Sequence, residues 1–275
     1  MKPNAPLPHV LKVVAALMKA GREQDAARIL IRDLRRSSTP READISKWLV
    51  RTIGAKPATR LLHTLAHYPC FYCEHGLEEC NLCGWQSQTG EKRGCCEHCL
   101  DLLYARCDFC DGSGWITYNA IPQDLWPAVV VVRTNAALKR LTDLMKNRLP
   151  AVTPTEPTQA RELLEREQLV LNRLAGIFEN AVDATRKYPA RNSPTFKPVA
   201  AKVLNTSTTA WEKIQARMRQ TLLLLAVAIR SEAGLGATAK AQAIMEARAD
   251  FYTMLAESRA FEGTSLSHPF LPSRP

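Results

Sequence analysis

Eight of the nine cysteines in this 275-residue chain form four C-x-x-C pairs within 41 residues. The C-x-x-C spacing lets both sulfurs of one tight turn face the same metal ion, and two such turns complete a tetrahedral zinc site with no open position. Four pairs therefore predict two structural Zn²⁺ ions, with disulfides, a redox pair or an iron–sulfur cluster as the alternatives. The pairs are Cys70 and Cys73, Cys80 and Cys83, Cys96 and Cys99, and Cys107 and Cys110.

Glycines follow several of these pairs, most clearly in "CDFCDGSGW" at residues 107–115. A thioredoxin-type pair would begin a helix, which "DGSG" cannot do, and a Walker phosphate loop would continue with Lys-Ser or Lys-Thr. Residues just after the second cysteine of a zinc knuckle often need positive φ, which glycine adopts at little cost. We therefore assign Gly84, Gly112 and Gly114 to knuckle turns.

The stretch "CDFCDGSG" resembles the C-x-x-C-x-G-x-G module of the DnaJ-type cysteine-rich domain, and "CNLCGW" is a partial match. The other two pairs keep little beyond the cysteines, and the resemblance covers only residues 70–115. It implies a nested arrangement in which the first pair joins the fourth and the second joins the third. Site 1 would then be Cys70, Cys73, Cys107 and Cys110, and site 2 would be Cys80, Cys83, Cys96 and Cys99.

Spacing supports the same nesting, because six residues between the first two pairs are few for closing one site, whereas twelve between the middle pairs allow a hairpin. Cys95 is expected to be a free thiol, and His75 and His98 are expected to lie outside the ligand sets. Co-chaperone activity is not expected, because no His-Pro-Asp triplet occurs. Similar fingers are found in some lambdoid-phage antitermination proteins, and fingers of other types in large subunits of CRISPR effector complexes, both of which act on nucleic acid.

No catalytic motif accompanies the cysteines. "PCFYC" at residues 69–73 looks like half of a zinc deaminase site, but that chemistry needs an upstream His-x-Glu, and His9, His63 and His67 all lack the glutamate. His-Glu-x-x-His, nucleophile-elbow and dinucleotide motifs are missing as well. We predict a protein that is not an enzyme and has no small-molecule substrate.

Charge is unevenly distributed along the chain. Residues 1–69 carry 13 Lys and Arg against 5 Asp and Glu, whereas residues 70–120 carry 3 against 8. A basic surplus favours a nucleic-acid partner, RNA or DNA, although it also fits a solvated surface without a partner. The candidate phosphate contacts are Arg32, Arg35, Arg36, Arg41, Lys213, Arg217 and Arg219.

The cysteine segment itself is predicted to avoid phosphate, because eight thiolates and two zinc ions add a charge of about −4 to an acidic sequence. We expect it to contact protein or to hold its neighbours in place. Its aromatic residues are expected mostly to cover the zinc sites, with one or two exposed as an anchor for a protein partner. They are Phe71, Tyr72, Trp85, Phe109 and Trp115.

The remainder shows helical periodicity, so the predicted fold class is mainly α. Apolar spacing and Gly or Pro breaks predict helices over 9–20, 22–36, 40–53, 57–68, 124–148, 158–187, 208–234 and 237–260. Capping boxes are predicted at Thr39 with Glu42 and at Thr209 with Glu212. The early helices fit either a helix-turn-helix or plain hairpin packing.

Four regions follow: a basic N-terminal region of short helices (1–69), a small two-zinc domain of knuckles and a β-hairpin (70–118), a helical bundle (119–262) and a flexible tail (263–275). No apolar run approaches the roughly 18 residues of a membrane helix, and no secretory signal is recognised, which predicts a cytoplasmic protein without membrane contact. The alternative to a nucleic-acid-associated subunit is a DnaJ-like assembly factor that binds protein clients.

Overall fold

The chain is described here by a computed structural model that places residues 7–34, 44–80, 99, 102, 104–235 and 237–258. The predicted mainly α class is confirmed, since these residues contain eight α-helices and one two-stranded sheet. None of these helices is both long and apolar enough to cross a membrane.

Four short helices precede the cysteines and match the predicted pattern. Gly21 and Gly54 separate successive helices with φ of 71° and 85°, in the left-handed region that favours glycine. The predicted capping box at Thr39 lies outside the described residues. The helices are α1 Leu7–Lys19, α2 Glu23–Leu34, α3 Asp44–Ile53 and α4 Ala55–Ala66.

Four longer helices follow the cysteines, and three of them begin with proline at the first or second position, where its missing N–H costs nothing. The predicted start of the third at residue 208 is wrong, because the helix already begins at Lys197. Thr209 is therefore not a cap, and its hydroxyl donates to the carbonyl of Asn205 within the helix (3.2 Å). The helices are α5 Trp126–Lys146, α6 Pro157–Lys187, α7 Lys197–Ala233 and α8 Ala239–Glu257.

Two hydrophobic cores hold these helices together. One fills the bundle between α5, α6, α7 and α8, around residues such as Phe178 and Leu222. The other joins the N-terminal helices to α5 and also takes in Ala181 at the end of α6 and Val203 at the start of α7. The N-terminal region and the bundle thus share a core across the predicted domain boundaries.

The cysteine segment leaves the helical body and returns to it at one place. Pro69 and Trp115 form an isolated antiparallel bridge, and the Ile116 amide donates to the Tyr68 carbonyl (3.0 Å). Beyond this base, β1 (Leu77–Glu79) pairs antiparallel with β2 (Tyr104–Arg106). The two-stranded ribbon therefore places the first and fourth cysteine pairs side by side at its base.

Candidate metal centre

The four cysteines predicted as site 1 come together in the structure. Their sulfur atoms all lie within 4.8 Å of one another, and none of them is in a disulfide. The Sγ atoms of Cys73 and Cys110 are 3.6 Å apart, close to the roughly 3.8 Å expected between two sulfurs bound tetrahedrally to one Zn²⁺. Four sulfurs at this spacing can hold one metal ion.

Local backbone chemistry explains why the two turns fit. Gly76, Gly112 and Gly114 have φ of 93°, 74° and 74°. They also let the turns touch backbone to backbone, because a Cβ on Gly76 would lie 2.1 Å from the Gly112 carbonyl oxygen. The role predicted for Gly112 and Gly114 fits this geometry, and Gly84 lies outside the described residues. Gly76, three residues after Cys73, was not assigned to a knuckle turn from the sequence.

Hydrogen bonds join the same two turns and reach the sulfurs. The Cys107 amide donates to the Gly76 carbonyl (2.9 Å), and the Cys70 amide donates to the Gly114 carbonyl (3.0 Å). The Gly114 amide points at the Cys110 sulfur (3.3 Å), as expected for a knuckle whose amides stabilise thiolate. We refer to residues 70–76 as the first knuckle and residues 107–114 as the second knuckle.

Burial makes thiolates costly here unless a cation is present. Cys107 and Cys110 are fully buried, and burial raises the pKa of the Cys73 and Cys107 thiols. A bound dication reverses this preference, because metal ligands are deprotonated thiolates. The donor set is all sulfur and fits a structural zinc site better than a site for hard cations such as Mg²⁺.

Two arginines of the bundle lie beside this site. Arg133 on α5 is only 2% exposed and donates to the carbonyls of Ala66 (2.7 Å) and Ile116 (2.8 Å). These two carbonyls lie just before and just after the cysteine segment, residues 70–115, which we also call the metal segment. Arg173 on α6 donates to the Ser113 carbonyl of the second knuckle (3.2 Å). Burial lowers the pKa of both arginines; Tyr118 is the main group that opposes this shift at Arg133, and Cys110 opposes it at both.

No carboxylate among the described residues pairs with either guanidinium. A zinc ion with four thiolates would carry a charge of −2 and would therefore supply counter-charge to both arginines. No motif in the sequence marks these two positions, since each is one arginine within an ordinary helical pattern.

One face of α6 receives the second knuckle. The Asn180 side-chain amide donates to the Cys110 carbonyl (3.0 Å), and Gly176 lies so close that a Cβ there would be 2.2 Å from the Asp111 carbonyl oxygen. Glu179 forms an ion pair with Arg106 of β2 at 2.5 Å. Burial of the Glu179 carboxyl raises its pKa to about 7, and the attraction of Arg106 opposes that rise. The knuckle is therefore fixed to the bundle at positions one helical turn apart.

Site 2 is described only in part. Cys80 directly follows β1, Cys99 precedes β2, and both are buried together with Ala105. Cys83 and Cys96 lie outside the described residues, as do Cys95 and His98. His75 is exposed on the first knuckle and is not part of the sulfur group.

The predicted phosphate contacts have different surroundings. Arg32 and Lys213 are exposed, whereas Arg219 is partly buried. Arg217 is 6% exposed, forms an ion pair with Glu167 at 2.6 Å and donates to the Asn147 carbonyl (3.1 Å). This burial does not fit the expected phosphate contact, and no sequence pattern indicates a partner 50 residues away. Arg35, Arg36 and Arg41 lie outside the described residues.

The aromatic residues of the knuckles are more exposed than predicted. Phe71, Tyr72 and Phe109 are 62%, 63% and 55% exposed, so most of the described aromatic surface does not cover the sulfur site. Trp115 is partly buried, with Arg133 and Arg173 near its ring at 5.5 and 5.8 Å. Trp85 lies outside the described residues.

Comparison with protein-family models, with curated proteins and with solved structures gives no match for this chain. Its function must therefore be argued from its own residues.

Proposed function

We propose that this protein is a non-enzymatic, zinc-binding subunit or adaptor of a nucleic-acid-associated complex. The observation that carries the proposal is the gathering of four cysteine sulfurs at the junction of α4, α5 and α6, where both knuckles join the helical body. A metal there would join the two knuckles to each other at the place where the N-terminal helices meet the bundle. We infer two Zn²⁺ ions, one in each cysteine set of the DnaJ-like nested scheme.

The absence of an enzymatic role is part of this proposal. Zinc that acts in catalysis keeps one coordination position for water or substrate, whereas four thiolates fill a tetrahedral shell. Two of the four cysteines in site 1 are fully buried. In this arrangement zinc supplies cross-linking and charge compensation.

The nucleic-acid contact is assigned to the N-terminal helices. Exposed lysines and arginines occur on all four of them, while Asp25 and Glu23 are only partly exposed and pair with Arg22 and Arg60. A surface of this kind attracts phosphate without base specificity. The exposed cations are Lys12, Lys19, Arg22, Arg28, Arg32, Lys47, Arg51, Lys56 and Arg60.

A DnaJ-like role in binding protein clients is the second candidate. The observation that favours it is the exposure of Phe71, Tyr72 and Phe109 on the knuckles, because exposed aromatic side chains near one another commonly mark protein interfaces. Both roles can belong to one adaptor, since the basic helices and the knuckles are different parts of the molecule.

A salt titration tests the nucleic-acid proposal. Zinc-loaded full-length protein is titrated with single-stranded RNA, single-stranded DNA and duplex DNA between 50 and 200 mM salt. Log affinity is expected to fall linearly with log salt, with a slope that corresponds to several phosphates.

Lys47 and Arg51 lie one turn apart on α3 and are both exposed. Lys47→Glu with Arg51→Glu is expected to weaken binding and to reduce the slope by about 2. Lys240→Glu on α8 is the matched control and is expected to leave the slope unchanged. Binding that is absent at 50 mM salt, or that ignores the α3 variant, contradicts the assignment to the N-terminal helices.

A further inference from the structure

The outward faces of the two knuckles form one surface. The rings of Tyr72 and Phe109 stack with centroids 3.9 Å apart and planes 18° from parallel, although one residue belongs to each knuckle. Phe71 directly precedes Tyr72 in sequence and is also exposed. The centroid of its ring lies 5.7 Å from that of Tyr68, which belongs to the helical core. We call Phe71, Tyr72 and Phe109 the aromatic patch.

The stacked rings belong to residues that directly precede candidate metal ligands. Tyr72 precedes Cys73 and Phe109 precedes Cys110, and the sulfurs of these two cysteines are 3.6 Å apart. A metal that holds these two sulfurs together also holds the rings in place, so a partner would not have to order them on binding. The patch is pre-organised whenever the site is filled.

The knuckles and the ribbon that carry the patch are acidic in the described residues. The exposed ionisable side chains of the knuckles and the ribbon include Glu74, Glu79, Asp108 and Asp111. Lysine does not occur in residues 70–80 or 104–114, and their single arginine, Arg106, forms an ion pair with Glu179 of α6. A site of four thiolates and Zn²⁺ would add a charge of −2 to the same two knuckles.

We propose that the aromatic patch is a docking surface for a basic polypeptide segment, one that places arginine or lysine over the exposed rings. Cations bind the faces of tyrosine and phenylalanine rings, and neighbouring carboxylates strengthen that attraction. Bases of single-stranded nucleic acid also stack on aromatic side chains, but the phosphates that come with them would be repelled here. Charge therefore favours a basic protein over nucleic acid on this face.

This inference rests on the protein-contact part of the proposed function and assigns it a location and a partner chemistry. It is independent of the cations on α3, so the salt titration above and the experiment below can fail separately.

The experiment uses zinc-loaded full-length protein with ¹³C-labelled tyrosine and phenylalanine rings. Three probes are titrated: an acetylated Gly-Arg-Gly-Arg-Gly amide, the same peptide with glutamate in place of arginine, and oligo-dT. Saturable shifts of the Tyr72 and Phe109 ring signals are expected with the arginine peptide alone, and they should weaken as salt is raised.

Tyr72→Ala with Phe109→Ala is expected to reduce the affinity for the arginine peptide at least fivefold while the metal content stays the same. Leu163→Ala with Met254→Ala is the matched control, because these side chains of the bundle are 53% and 55% exposed. The control pair is expected to leave the affinity unchanged.

Three results would overturn the proposal. The glutamate peptide or oligo-dT could shift the same rings equally well, and oligo-dT doing so would assign the patch to nucleic acid. Ring signals that depend on protein concentration without any peptide, with dimers in sedimentation, would assign it to a second copy of this chain. An arginine-peptide affinity that is equal in the wild type and the aromatic variant would remove the patch from the binding surface.

Discussion

The helical bundle and the metal segment are each stabilised by different interactions. In the bundle, long helices bury many apolar side chains, and Leu164, Phe178 and Leu222 are each fully buried. Among the described residues of the metal segment, the corresponding cluster is only Cys80, Cys99 and Ala105. Backbone hydrogen bonds, close glycine contacts and four sulfurs take the place of apolar burial there.

This difference predicts two kinds of sensitivity to mutation. Burial of apolar area is distributed over many side chains, so the bundle loses a limited amount of stability with each substitution. A segment with too small a core depends instead on its metal ion and on a few positions where no other residue fits. The following variants test whether the two regions differ in this way.

The largest effect is expected from removal of a metal ligand. If each cysteine set holds one zinc ion, as proposed, Cys110→Ser should lower the bound zinc from two ions per chain to one. It should also expose the amide of Cys107, which donates to the Gly76 carbonyl, to hydrogen exchange. Leu222→Ala should instead cost about 2–5 kcal/mol of bundle stability without changing the metal content. Metal analysis and amide hydrogen exchange on both variants show which region each substitution affects.

Equal metal content in Cys110→Ser and wild type would show that site 1 is not the metal centre. Loss of metal in Leu222→Ala would show that metal binding depends on the stability of the bundle, so the two regions would not be energetically distinct.

An intermediate effect is expected at Arg133, which lies between the two regions. Arg133→Met leaves the buried carbonyls of Ala66 and Ile116 without their donors and should destabilise the protein by roughly 2–4 kcal/mol. It also removes a positive charge beside the thiolates, so zinc affinity in a chelator competition should fall. The control is Arg140→Met, two turns later on the same helix, where the side chain is exposed.

Unfolding in denaturant and chelator competition measure the two consequences separately. An Arg133→Met protein with wild-type stability would mean that the two carbonyls find other donors. Lower stability with unchanged zinc affinity would mean that Arg133 acts through hydrogen bonds and not through charge.

The sequence was informative where chemistry is local. The C-x-x-C spacing predicted the two cysteines of each knuckle. The resemblance to the DnaJ-type domain, supported by the distances between pairs, predicted which two knuckles meet in site 1. Helix periodicity predicted all eight described helices to within a few residues, except for α7. There "YPARNSPTFKP" was interpreted as a linker through residue 198, whereas Pro198 occupies the first turn of a 37-residue helix.

What was missed depends on contacts between residues distant in sequence. Arg217 looked like a surface cation, but Glu167 lies 50 residues earlier on a neighbouring helix and pairs with it. The surroundings of Arg133 and Arg173 likewise require knowing where the knuckles pack. Gly176 gave no signal either, since a glycine within a helical pattern does not indicate what approaches it.

The smallest of the three effects is expected at this glycine, and it tests how tightly the two regions are joined. Alanine normally stabilises a helix relative to glycine by about 1 kcal/mol. At Gly176 the new Cβ would lie 2.2 Å from the Asp111 carbonyl oxygen, so the second knuckle must move away from α6. Because backbone cannot yield as a flexible side chain can, Gly176→Ala should cancel the helical gain and cost roughly 1–3 kcal/mol.

Gly234→Ala at the end of α7 is the matched control, since its φ is −73° and the nearest atom to a new Cβ is at 3.6 Å. It should be neutral or slightly stabilising. Thermal unfolding of both variants, with zinc affinity measured in parallel, separates strain at the junction from a general effect of glycine replacement. If both variants gain stability, the second knuckle is not packed against α6 as described, and the metal segment is joined to the bundle only through its base at Pro69 and Trp115.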